Sequence, residues 1–275
     1  MEQSILIVRP GALGDTILTF PLLASIRKQY PHARITLVGN RSCRSLAPPG
    51  IDVEGIDDQK WLWLFSSSPP DPSSSATVYS RAYVILNRPD MVVANLVRTG
   101  TESVRHASSR PGRGKHVVEH LHEAFGLPVP PRKPALLHLV PPRAQDLIWV
   151  HPGSGGRRKC VPLDFITSFS ERLSSRTGWP LAVTAGEEDA FLKVQPAWKR
   201  LTGERGAILF ENRPIEEICR ELGGAQLFVG NDSGISHLAA GLGIPSTLFF
   251  ISTDPVQWAP WVPGAQLSVF DVRCA

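Results

Sequence analysis

A chain of 275 residues, 42% of them hydrophobic, is long enough for two domains and apolar enough to bury their cores. It has no run approaching the ~18 apolar residues of a membrane-spanning helix, and Ser4–Val8, broken at once by Arg9-Pro10-Gly11, is too short for a signal-peptide core. A net charge of +4 suits anionic partners such as nucleotides, phosphorylated glycans or acidic lipid, but is too common among enzymes to point to nucleic acid, and none is expected as a partner. The expected location is the cytoplasm. Cys43, Cys160, Cys219 and Cys274 are scattered without a C-x-x-C pair, which reads as reduced thiols rather than disulfides or a zinc site.

The opening run Ile5-Leu6-Ile7-Val8 reads as a buried strand, followed by the turn Arg9-Pro10-Gly11-Ala12-Leu13-Gly14-Asp15. Residues 16–30 carry Ile17, Leu18, Leu22, Leu23 and Ile26 at helical spacing. Pro21 lies among them, so a kink or a broken first turn is expected. A strand at 34–38 completes a βαβ unit. Trp61-Leu62-Trp63-Leu64 is a short apolar patch, 66–75 a Ser/Pro loop and 83–86 a further strand. The stretch 98–115 is basic, with Arg98, Arg105, Arg110, Arg113 and Lys115. An amphipathic helix is expected at 117–125, and the proline-dense 128–142 reads as an interdomain linker.

Strands are then expected at 147–150, 181–184, 208–210, 227–229 and 247–251, alternating with helices at 163–176, 187–200, 215–222 and 234–242. Such alternation means a parallel sheet with helices on both faces. The expected class is α/β, with two facing Rossmann-like domains at 1–142 and 143–275. Ligands of such sheets bind beyond the C-terminal strand ends.

Several strand-to-helix loops offer chemistry. Gly11 and Gly14 shape a tight turn that puts Asp15 at a helix start, where a cap and a functional carboxylate both fit. The spacing is neither a dinucleotide fingerprint nor a P-loop. His151-Pro152-Gly153-Ser154-Gly155-Gly156 precedes Arg157-Arg158-Lys159, pairing free backbone N–H groups with cations, as a phosphate or diphosphate requires. A solvated flexible loop is the alternative. Asp232, Ser233 and Gly234 open another helix, with His237 about one turn in; they fit either a cap or an anion site at the positive helix end. Glu187, Glu188 and Asp189 follow a strand, suited to sugar or ribose hydroxyls or simply to a first helical turn. Thr253–Pro260 holds Trp258 between prolines, as pocket wall or as packing.

Four segments together resemble glycosyltransferase family 9, the ADP-heptose:lipopolysaccharide heptosyltransferase family. They are R-P-G-A-L-G-D-T-I-L-T-F-P at 9–21, H-P-G-S-G-G-R-R-K-C-V-P-L-D-F at 151–165, N-D-S-G-I-S-H-L-A-A at 231–240, and 253–260. The resemblance implies a GT-B architecture and an inverting, metal-independent transfer with no cofactor beyond the nucleotide-sugar substrate. It implies Asp15 as general base. Gly14, Ser154, Gly155, Lys159, Asp232, Ser233, Gly234 and His237 would line the donor, with Glu187 or Glu188 near the ribose. The acceptor would be a lipopolysaccharide-core-like or other glycan, reached with peripheral contact at the inner membrane leaflet. The chain contains no D-x-D motif. Cys160-Val161 stands where the family usually has an aromatic before the proline, and the chain ends at Ala275 where relatives usually continue. These departures define an alternative, a catalytically impaired nucleotide-sugar-binding homologue.

Overall fold

A computed structural model describes residues 3–67, 78–140, 145–203 and 206–273. Most of the expected loop at 66–75, and Cys274, lie outside these residues. The chain divides into two compact units, Met1–Pro131 and Arg132–Ala275.

The first unit runs β1 (Ser4–Val8), α1 (Leu13–Gln29), β2 (Arg34–Gly39), β3 (Ile51–Gly55), β4 (Arg81–Ile85), α2 (Asp90–Arg98), β5 (Ser103–Ala107) and α3 (Val117–Ala124). Its strands form one parallel sheet in the order β3-β2-β1-β4-β5. The central strand β1 is apolar throughout Ile5–Val8, and all four side chains are fully buried, as a strand covered on both faces requires. Helix α1 continues through Pro21 without a break. Its buried residues Ile17, Leu18, Phe20, Leu22, Leu23 and Ile26 anchor it on more than one side, and this packing outweighs the one hydrogen bond that proline removes. Helix α3 is tied to α1 by Ser25 Oγ, 3.0 Å from His122 Nε2. The patch Trp61–Leu64 forms a 3-10 turn that buries Trp61 and Leu64.

The second unit runs β6 (Gln145–His151), α4 (Leu163–Thr177), β7 (Leu181–Ala185), α5 (Ala190–Lys193), α6 (Pro196–Thr202), β8 (Ile208–Glu211), α7 (Ile215–Leu222), β9 (Ala225–Asn231), α8 (Gly234–Gly241), β10 (Ser246–Phe250), α9 (Pro255–Trp258) and β11 (Leu267–Asp271). Its parallel sheet has the order β11-β10-β9-β6-β7-β8. The single helix expected over 187–200 is instead a 3-10 turn, α5 and α6. Pro196 ends the run by taking the first position of α6, where its missing N–H costs nothing.

The proline-dense stretch is not a free connector up to 142. Leu136 is fully buried, its N–H donates to Gly241 O at 2.8 Å, Lys133 N–H donates to Trp261 O, and the Arg132 guanidinium lies 4.2 Å from the Trp261 ring centroid. Residues 132–140 therefore belong to the second unit. Among the described residues, no helix is long and apolar enough to cross a membrane.

Both sheets reverse their strand order once. In the first unit the reversal lies between β1 and β4, in the second between β6 and β9. Crevices form beyond the strand ends at such points, because neighbouring connections leave for opposite faces.

Candidate functional site

The turn after β1 places Asp15 at the reversal point of the first unit. Its Oδ1 accepts from Arg9 Nη2 at 2.9 Å and its Oδ2 from the Ala12 N–H at 3.2 Å. The second bond is the reach-back half of a helix cap, so capping is one of its tasks. The carboxylate is still one-third exposed, while Arg9 beneath it is buried. Burial disfavours the Arg9 cation and Asp15 favours it; on balance Arg9 is pushed below its ordinary value, yet guanidinium remains charged at any physiological pH. Gly14 is buried inside α1. A side chain at Gly11 would bring its Cβ to 2.8 Å from the Asp15 Cβ and 3.0 Å from Oδ2, which explains the bare residue.

In the second unit, the loops after β6 and β9 meet at the reversal point. Asn231 is fully buried and holds both. Its amide nitrogen donates to Pro152 O at 2.8 Å, and its carbonyl accepts from the Val161 N–H at 3.1 Å. Ser154 Oγ donates to Asp232 O at 2.6 Å. The Asp232 carboxylate gathers Lys159 Nζ at 2.8 Å and Thr253 Oγ1 at 2.5 Å on Oδ2, with His237 Nε2 3.8 Å from Oδ1. Burial alone would raise its pKa; His237, Lys159 and Thr253 outweigh that and hold it well below the usual carboxylate range. The Lys159 side chain is 38% exposed, so its remaining N–H donors can meet a ligand. Ser233 caps α8 by accepting from the Ser236 N–H. Gly234 opens that helix, and Gly155 is exposed with open space where a Cβ would be. His237 Nδ1 is buried without a partner among the described residues.

The model of glycosyltransferase family 9 (heptosyltransferase) matches residues 118–275, more than half of the chain. The chain belongs to this family. Several solved structures share its fold. The E. coli heptosyltransferase WaaC with ADP aligns with a TM-score of 0.72 at 17% identity, over 97% of this chain and 92% of that one. A family 9 glycosyl transferase from Veillonella parvula aligns at 0.73 and 16%, over 98% and 85%. The E. coli ADP-heptose lps heptosyltransferase II aligns at 0.72 and 17%, over 100% and 92%. At these identities the likeness establishes the fold, a GT-B-like α/β architecture. Among curated proteins, none matches.

For this glycosyltransferase, the structure assembles Ser154, Lys159, Asp232, Ser233 and His237 into one cluster, with Gly155 and Gly234 on the same two loops. It does not bring Glu187 or Glu188 into that cluster; both are exposed, and it is Asp189 that turns inward. Asp189 Oδ2 accepts from the Gly186 N–H, and its Oδ1 would lie 1.8 Å from a Cβ at Gly153, so a side chain at position 153 would displace the Asp189 carboxylate. His151 donates through Nδ1 to Thr184 O at 3.1 Å, and burial lowers its pKa.

Sequence reasoning did not single out Asn231, Thr253 or Arg9, and it did not distinguish Asp189 from Glu187 and Glu188. Their signal is positional: each lies on or beside a loop that was singled out. Nor is the basic stretch 98–115 a uniformly free cationic face. Arg105 donates to Phe125 O, and Lys115 is paired with Glu123.

Proposed function

We propose that the chain transfers a sugar, a heptose by family likeness, from a nucleoside-diphosphate sugar to a glycan or glycolipid hydroxyl. Transfer inverts the anomeric carbon and requires no metal. The bond between that carbon and the diphosphate oxygen breaks through an oxocarbenium-like state as the acceptor oxygen attacks the opposite face. Asp15 accepts the hydroxyl proton, using the carboxylate that its turn leaves exposed. The departing diphosphate gains charge, which Lys159 and the backbone amides at the start of α8 stabilise. Asp232 keeps Lys159 in place and consumes one of its three donors. ADP, present in the WaaC structure, is the first donor nucleotide to test. The setting in this reading is the cytoplasm, with peripheral contact at the inner leaflet and a lipopolysaccharide-core-like acceptor.

The observation that carries the proposal is the Lys159–Asp232 pair at the reversal point, beside the N-terminus of α8, in a family 9 chain. A thermal-shift screen of ADP-, GDP-, UDP- and dTDP-sugars tests it. A rise in melting temperature for one nucleotide class, lost in Lys159→Ala, is expected. No shift with any of them would remove the donor assignment.

One observation favours the binding-only alternative. Val161 is buried in the core where the family usually carries the larger aromatic. Tight nucleotide binding without release of sugar, whatever the acceptor, would identify that case.

A further inference from the structure

The chain leaving β9 runs beside β10, since the Asp232 N–H donates to Phe249 O at 3.1 Å. Thr253 lies on the loop after β10, two residues before α9. Its neighbour Asp254 anchors that loop. The Asp254 carboxylate caps α9 by accepting from the Val256 N–H at 3.0 Å, and it pairs with Arg273, just past β11, at 3.3 Å. So anchored, Thr253 turns its hydroxyl to Asp232, where Oγ1 donates to Oδ2 at 2.5 Å.

The choice of oxygen is the informative property. Lys159 Nζ donates to the same Oδ2 at 2.8 Å, whereas Oδ1 has His237 Nε2 at 3.8 Å, beyond hydrogen-bond reach. Among the described residues, both close bonds to this buried carboxylate therefore fall on one oxygen. A buried carboxylate that loses its cation is strongly penalised. With Lys159 as sole close partner, any pull on the ammonium would meet that whole penalty. The threonine hydroxyl is neutral, so an anion arriving at Lys159 draws the ammonium and leaves the hydroxyl on Oδ2. A hydrogen bond to a charged acceptor is among the stronger kinds, and this one compensates Asp232 as the lysine bond lengthens.

We infer that Thr253 is a positioning residue for Lys159: its hydroxyl keeps Asp232 satisfied while the ammonium moves toward the diphosphate. The inference rests on Lys159 meeting the donor diphosphate, and it deepens that reading by naming what lets the lysine move. The effect grows with the charge on the phosphates, and so is largest once the sugar has left. A nucleoside diphosphate carries roughly one negative charge more than its sugar ester near neutral pH, and draws the lysine further.

Calorimetry on the full chain tests this with ADP and ADP-glucose as probes. Thr253→Val removes the donor at nearly constant shape. It is expected to weaken ADP binding about tenfold, as the loss of one hydrogen bond to a charged group would, and ADP-glucose binding by about threefold or less. Thr253→Ser keeps the hydroxyl and should stay within about twofold of wild type for ADP. In a Lys159→Ala background, Thr253→Val should bring no further loss, because the threonine acts through the lysine. A residue that only tethers its loop would weaken both probes alike, with or without Lys159. Equal losses for the two probes, a further loss in the Lys159→Ala background, an alanine-like loss in Thr253→Ser, or unchanged ADP affinity in Thr253→Val would each overturn the inference. The two readings fail separately. ADP binding that is weakened by Lys159→Ala but untouched by Thr253→Val sinks the threonine's role alone. ADP affinity equal in wild type and Lys159→Ala, or no binding of either probe by the wild type, removes the lysine's diphosphate role and this inference with it.

Discussion

The two units place a carboxylate and a cation at the same topological position and bury opposite members of the pair. In the first, Arg9 is buried and Asp15 is one-third exposed. In the second, Asp232 is buried and Lys159 is the exposed partner. The exposed member decides what each pair can do. An accessible carboxylate can take a proton from an incoming hydroxyl, and an accessible ammonium can meet an incoming anion. The buried member holds the exposed one in place. The choice of cation fits as well: guanidinium tolerates burial because it stays charged, whereas lysine offers three rotatable donors on a flexible stem.

The sharpest way to break this comparison is to remove the accessible carboxylate. Asp15→Asn is expected to lower the rate of sugar transfer by roughly 10²–10⁴, the usual contribution of a positioned general base. Nucleotide affinity should stay near wild type. Calorimetry and turnover measured on one preparation check both halves, and full turnover would end the assignment of Asp15.

Next comes the frame of the second pair. Asn231→Ala leaves Pro152 O and the Val161 N–H without buried partners. Each such loss costs about 1–3 kcal/mol, so a destabilisation of about 2–6 kcal/mol is expected. That corresponds to a fall of roughly 5–25 °C in melting temperature. Asp15→Asn leaves the buried Arg9 guanidinium without its counter-ion and should lower the melting temperature as well. An unchanged melting temperature in Asn231→Ala would show that this amide does not hold the second site together.

The exposed cation gives a smaller effect. Lys159→Ala should weaken nucleotide binding by about tenfold to a hundredfold, the range for a hydrogen bond to a charged group. Arginine at this position should restore part of the affinity, and added salt should narrow the gap between wild type and alanine variant. Unchanged affinity in Lys159→Ala would mean that the lysine serves Asp232 and nothing else.

The weakest effect is in the response to acid. His151 has its pKa lowered by burial from an ordinary 6.5, so below about that pH the unfolded chain gains a proton that the folded one resists. Its contribution is complete above pH ~6.5 and declines as pH falls, by at most ~1.4 kcal/mol per pH unit. His122, lowered by the burial of its own ring, adds in the same sense. Asp232 follows in stronger acid: its contribution is complete above about pH 4 and is lost as pH falls through its depressed folded value. Urea unfolding between pH 7.5 and 5 should show the histidine slope, and His151→Gln should flatten it. A slope unaltered in that variant would assign the loss to other groups.

The sequence carried the α/β alternation well wherever strands are central. Ile5–Val8 and Leu147–Val150 are nearly continuous apolar runs because both of their faces are covered. Edge strands β3 and β5 were not legible: Asp52, Glu54, Arg105 and His106 interrupt them, since one side of an edge strand borders water. The site was legible as three glycine-bearing loops, because turn and cap chemistry is local. What was not legible is which side chains meet across those loops. Asn231, Thr253 and Asp189 act through residues 21 to 79 positions away or through backbone atoms of a neighbouring loop, and no local pattern encodes such pairing. Local reasoning left Glu187, Glu188 and Asp189 equivalent and only the family resemblance pointed to Glu187 or Glu188, because a local pattern does not show which of three consecutive acids turns toward Gly153.

The Asn231 side chain has a consequence for how the second site moves. A single amide on the last residue of β9 fastens both ends of the loop after β6, so that loop cannot open fully without breaking a bond to β9. In deuterated buffer the Val161 N–H should exchange slowly, in step with the opening of the whole loop, while the exposed Gly155 and Gly156 exchange early. A nucleotide that steadies the Ser154 loop would then slow exchange at the start of α8 as well, making the two loops one cooperative unit in time as well as in space.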